Sequence, residues 1–174
     1  MKKIIINAFG NDQPGIVSKI SGIITSLDGN IIKSKMMKID NIFSVIIIAN
    51  IPTNNENLLI EQIDQITGLD SLLKSINVDR SDKENCNKYS FSLECLDNEG
   101  IIHYFTKYLT HKKINIEKMN TSTNNAPVTG IILFKLESII SIPLNLDIKE
   151  IKSKLNKLSE QFNVNYALSL LKSK

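Results

Sequence analysis

Residues 8–17 read AFGNDQPGIV, that is Ala8, Phe9, Gly10, Asn11, Asp12, Gln13, Pro14, Gly15, Ile16 and Val17. An apolar run precedes this stretch and a helical apolar pattern follows it, so it reads as a strand, a turn and a helix start. Residues 93–102, LECLDNEGII, are a looser copy 85 positions later. Fifteen residues after Gly15 comes the pair Asn30, Ile31, and fifteen after Gly100 comes Asn115, Ile116. Two loops of one design indicate a duplicated binding module rather than a single catalytic centre.

Outward from the first loop, residues 3–9 read as a strand, with Ile4, Ile6 and Ala8 on one face and Ile5, Asn7 and Phe9 on the other. Residues 10–14 read as a turn. The helix after it carries Ile16, Val17, Ile20, Ile23, Ile24 and Leu27 on one stripe, and Asp28 with Gly29 stops it. Residues 30–39 and 42–51 read as strands joined by a two-residue hairpin at Asp40 and Asn41, both tolerant of positive φ. The second of these strands is apolar on both faces and is expected to be central. A helix over 57–67 and a strand over 72–79 complete a βαββαβ unit.

The order then recurs. Strands are expected over 89–96, 114–123, within 129–142 and over 164–171. Helices are expected from Ile101 and over 147–162. Ile101, Ile102, Phe105, Tyr108 and Leu109 fall at the offsets of Ile16, Val17, Ile20, Ile23 and Ile24. The fold class is therefore α+β: two ferredoxin-like βαββαβ domains, each an antiparallel sheet with its helices on one face. The expected boundaries are 1–80, a polar linker at 81–88, and 89–174. Units of this size have open sheet edges, so side-by-side pairing of the two sheets is expected, and homodimerisation is a natural extension.

Composition narrows the function. The chain has 174 residues, 42% of them hydrophobic, and a net charge of +3. Arg80 is the sole arginine and the lysines are scattered among Asp and Glu, which disfavours direct nucleic-acid binding. No apolar run approaches the roughly 20 residues needed to span a bilayer. Lys2 and Lys3 precede a short apolar run, but it enters a Gly/Asp/Pro loop without a small-residue cleavage site, so no secretory signal is expected. The expected place is the cytoplasm, away from membrane. In that setting Asn120, Thr121 and Ser122, though they spell a glycosylation acceptor, are coincidence.

Cys86 and Cys95, with His103 and His111, have no metal-ligand spacing, so neither metal nor cofactor is expected. The cysteines read as buried or linker thiols, the histidines as exposed or hydrogen-bonded, and Met36 and Met37 as packing or interface residues. Asp97 and Glu99 could pair as carboxylates, but no nucleophile or metal ligand accompanies them. The chain is expected not to be an enzyme.

The loops suit a small zwitterion. A helix start leaves backbone N–H groups unpaired and carries positive potential, which attracts a carboxylate. Gly15 permits close backbone approach and Pro14 fixes the entry. Asp12 can cap the helix, or face an ammonium group, or both. Asn30 is expected near the same end of the sheet. The second loop has Glu99 where the first has Pro14, and so carries more negative charge.

A strand, a loop of the form G-x-D-x-P-G-I-V, an amphipathic helix and a strand opening with Asn-Ile resemble the ACT domain, a family of small amino-acid-sensing modules. The tandem layout, covering about residues 3–79 and 88–171, resembles the glycine cleavage system transcriptional repressor family. That resemblance implies ligand contacts at Asn11, Asp12, Gln13, Pro14, Gly15, Ile16, Asn30 and Ile31. In the second unit it implies Asp97, Asn98, Glu99, Gly100, Ile101, Asn115 and Ile116. It also implies a small amino acid such as glycine as ligand, and a DNA-bound transcription activator protein as partner. The alternative is a regulatory subunit of an amino-acid metabolic enzyme, since ACT modules are commonly fused to such enzymes.

Overall fold

A computed structural model describes residues 1–76, 85–96, 99–125 and 130–171. The chain falls into two compact units, Met1–Ser81 and Asp82–Lys174. The first contains β1 (Lys2–Asn11), α1 (Ile16–Ser26), β2 (Asn30–Ile39), β3 (Ile42–Ile51), α2 (Glu56–Asp64) and β4 (Leu69–Ser75). The second contains β5 (Cys86–Leu96), α3 (Ile101–His111), β6 (Asn115–Asn125), β7 (Ile132–Pro143), α4 (Ile148–Phe162) and β8 (Asn165–Leu170). Each is a four-stranded antiparallel sheet, ordered β2-β3-β1-β4 and β6-β7-β5-β8. The α+β reading of two ferredoxin-like units holds.

Alternation builds the first core. Ile4, Ile6 and Ala8 of β1 and Phe43, Val45, Ile47, Ala49 and Ile51 of β3 are buried on one face. Against them α1 lays Ile16, Ile20 and Ile24, and α2 lays Leu59 and Ile63. Each fully buried isoleucine contributes roughly 1.5–3 kcal/mol. Val17, expected on this stripe, is exposed, because a residue next to Ile16 turns about 100° away from it. In the second unit Phe91, Leu93 and Cys95 of β5 and Leu136 and Ile140 of β7 meet Phe105 and Leu109 of α3 and Ile151 and Leu155 of α4. Ile102 lies off the stripe for the same reason as Val17. Cys86 is half-buried in β5.

Several boundaries differ from expectation. Gly10 and Asn11 continue β1, paired with Phe43 and Ile42. Gly10 makes this possible: a Cβ there would stand 2.1 Å from the Gly68 carbonyl oxygen, where β4 begins. β4 starts at Leu69, earlier than expected, because Gly68 turns the chain with φ +79° and the backbone pairs at once with Gly10. β5 starts at Cys86, since Pro143 of β7 extends far enough to face it. At the β2–β3 hairpin only Asp40 has positive φ.

Pairing register defines the helix-free face of the first sheet. Lys33, Ile48, Ile5 and Lys74 form one row across it, and Lys35, Ile46, Asn7 and Leu72 the next. The equivalent rows of the second sheet are Lys118, Ile139, Ser90 and Ser169, then Asn120, Glu137, Ser92 and Ala167. Each unit has one irregularity at the same place: β2 is bulged between Ile31 and Lys33, and β6 between Ile116 and Lys118. Among the described residues no helix is long and apolar enough to cross a membrane.

Candidate functional site

The loop after β1 stands out at one end of the first sheet. Asn11, Asp12, Gln13, Pro14 and Gly15 are all exposed, while Ile16 is buried in the core. The Asp12 N–H donates to the Asn41 carbonyl at 2.8 Å, which ties the loop to the β2–β3 hairpin. Gly15 is the N-cap of α1, with φ 93° and ψ −5°, and no side-chain hydrogen bond caps the helix among the described residues. Gly15 accepts from the Lys19 N–H at 2.9 Å. The left-handed conformation explains the glycine: no side chain crowds its position, but an L-residue would be strained there.

Asp12 does not cap α1. Its Oδ2 lies 2.6 Å from Nζ of Lys38, both groups partly exposed. Lys38 was not legible as a site residue. β2 runs parallel to β1, so its far end returns to the loop, and only that topology brings the lysine to the aspartate. The result is a charge pair beside an uncapped helix start. The pair itself is worth about 0–1 kcal/mol at such exposure.

The second loop repeats the backbone feature. Gly100 is the N-cap of α3 with φ 82° and ψ −1°, again without a side-chain cap among the described residues. Tyr104 donates its N–H to the Gly100 carbonyl at 3.1 Å. Glu99 is exposed and Ile101 is core. Asp97 and Asn98 lie outside the described residues, as does Arg80. By contrast, α4 has an ordinary cap: Asp147 Oδ1 accepts from the Lys149 N–H at 2.8 Å.

The Asn-Ile pairs are not at the loops. Asn30 and Lys3 both pair with Asn50, whereas Asn11 pairs with Ile42 at the opposite end. Eight residues of strand separate the two levels, roughly 26 Å. The expectation that Asn30 sits near the loop is therefore corrected. A helix that runs back along the sheet delivers the chain to the far end before β2 begins. Asn115 is placed alike: it and Lys88 pair with Ser141, far from Leu96. Ile31 and Ile116 pack against their cores.

Other singled-out residues stay apart from these loops. Met36 and Met37 are about half exposed on β2. His103 and His111 are exposed on α3. Among the described residues no cluster of His, Cys, Asp and Glu could hold a metal ion. Among the described residues three carboxyls are held below the usual range: Glu56 by the Lys2 ammonium and the Ser75 hydroxyl, Glu117 by Lys88 and the Ser141 hydroxyl, and Glu137 by Lys135.

Comparison with known proteins fits this geometry. The ACT domain family model matches residues 2–68. A crystal structure of an unknown protein from Galdieria sulphuraria superposes with a TM-score of 0.85 at 23% identity, over 98% of this chain and 99% of that one. A candidate glycine cleavage system transcriptional repressor superposes with a TM-score of 0.69 at 19% identity, over 99% and 98%. No curated protein matches the chain. The chain has the tandem ACT fold and resembles the repressor structure along its whole length.

Proposed function

We propose that the protein is a non-enzymatic amino-acid sensor that acts through a protein partner, in the manner of a glycine cleavage system transcriptional repressor. The observation that carries this reading is the pair of uncapped helices led by left-handed glycines, Gly15 and Gly100. Unpaired N–H groups and the helix dipole attract a carboxylate there. In the first unit the Asp12–Lys38 pair stands beside them. A free amino acid carries the same two charges, so its ammonium can take the Asp12 carboxylate while its own carboxylate faces the helix start and Lys38.

The ligand proposed is a small amino acid such as glycine, the partner a transcription activator, and the location the cytoplasm. Binding would bias the chain between two states only through its differential affinity for them. Isothermal titration of the intact chain against the twenty amino acids tests this. A saturable heat with a small amino acid, weakened at least about tenfold in Asp12→Asn, is expected. Absence of both heat and thermal shift with all twenty would refute the sensor reading.

A further inference from the structure

The second unit contains a cavity that the proposed sensing loops do not use. It is an open groove of about 370 Å³ between α3 and α4, and five of its seven lining residues are exposed. Small-molecule sites begin at roughly 300 Å³. From α3 and its C-cap it is lined by Tyr108, His111 and Lys112, at helical spacing i, i+3, i+4. On α4 it is lined by Glu150, Ser153, Lys154 and Lys157, which continue that spacing to i+7. The sequence therefore aims one stripe from each helix into a single cleft.

Tyr108 is nine-tenths buried, and its hydroxyl has no hydrogen-bond partner among the described residues. A buried hydroxyl left unpaired is costly, and such groups are rare in folded proteins. The fold does not require it. The equivalent position of the first unit, 85 residues earlier, is Ile23, which packs against its core without a polar atom. Charge points the same way. The lining holds three lysines against one carboxylate, that of Glu150, which is paired with Lys112 at 2.6 Å. Lys154 and Lys157 then face the cleft with the Ser153 hydroxyl and the His111 ring. This donor-rich set, with an excess of two positive charges when His111 is neutral, matches a dianion better than a single carboxylate.

We infer that the α3–α4 cleft of the second unit binds a small phosphate-bearing molecule, with Lys154 and Lys157 supplying the charge and the Tyr108 hydroxyl donating to the ligand. The Tyr108 hydroxyl has no accessible surface in this structure, so a ligand reaches it only when the neighbouring Lys112–Glu150 pair parts, which also frees Lys112 as a further donor.

Inorganic pyrophosphate, titrated into the intact chain at fixed ionic strength with chloride as the reference salt, is the probe. Thermal shift and calorimetry should give a saturable response. Lys154→Gln with Lys157→Gln should weaken it at least about tenfold. Tyr108→Phe should weaken it severalfold while the unliganded melting temperature stays the same or rises. A response that follows ionic strength alone overturns the assignment. So does saturation as strong in Tyr108→Phe as in the parent chain, or a large loss of unliganded stability in that variant, which would mean that the hydroxyl has a structural partner.

Discussion

Replacing Gly10 by alanine tests how the first loop is held. The added Cβ would stand 2.1 Å from the Gly68 carbonyl oxygen and 3.2 Å from the Leu69 Cα. Carbon and carbonyl oxygen normally keep at least about 3.3 Å apart, so β1 and β4 must separate by about 1 Å where Gly10 pairs with Leu69. Backbone blocks the space, and no side-chain rotation relieves it. Overpacking of this kind costs about 1–3 kcal/mol. Loss of glycine freedom in the unfolded chain returns about 0.4–1 kcal/mol. The midpoint is then a net destabilisation of about 1.3 kcal/mol, or roughly 5–10 °C for a unit of this size. Gly22 provides the control: it lies inside α1 with open space around it, so Gly22→Ala should stabilise by about 0.5–1 kcal/mol. Urea unfolding followed by circular dichroism reads both. If Gly10→Ala matches the parent chain, or the two substitutions change stability in the same direction, the close approach at Gly68 does not govern the loop.

Two further outcomes follow from the site and its scaffold. Glu56 has a folded pKa below its unfolded value, so its contribution is full above about 4.3 and disappears as pH falls through the folded value. Acid titration of Glu56→Gln should therefore show a shallower loss of melting temperature below that point, and an unchanged slope would remove the role assigned to Lys2 and Ser75. Asp147→Ala removes the one side-chain cap described at the α4 start and should cost about 1 kcal/mol, seen as a lower urea midpoint; no change would mean the Lys149 N–H finds another acceptor.

The fold was largely legible because isoleucine alternates cleanly along β1 and β3 and recurs at helical spacing in α1, patterns that local chemistry sets. The ends of elements were less so. Gly10 and Asn11 look like turn residues in isolation, and only their pairing with Phe43 and Ile42 of β3 makes them strand. The glycines at 15 and 100 could be read as helix starts, yet their left-handed geometry is a backbone property, and Asp12 pairs with Lys38 instead of capping α1. Lys38 and Asn30 show the larger limit. Their positions depend on which end of the sheet each reaches, and a chain that crosses on a helix exchanges those ends. An Asn near a loop in sequence is then far from it in space, and a distant lysine is close.

The extra residue in β2 has a bearing on that lysine. A strand is a two-step rhythm, and an odd residue swallowed as regular strand would invert the beat from Lys33 onward. Lys38 would then swing to the lysine-bordered side of the sheet, and Asp12 would face no ammonium. Because the irregularity absorbs Ile32 out of rhythm, the parity downstream survives, and the reach of one cation depends on a kink six residues away. The same beat is skipped at Glu117. A single-residue insertion or deletion at the β2 kink is thus the shortest genetic step by which the first unit could lose a charge at its rim while its core stays as it is, because every β2 residue beyond the kink is exposed.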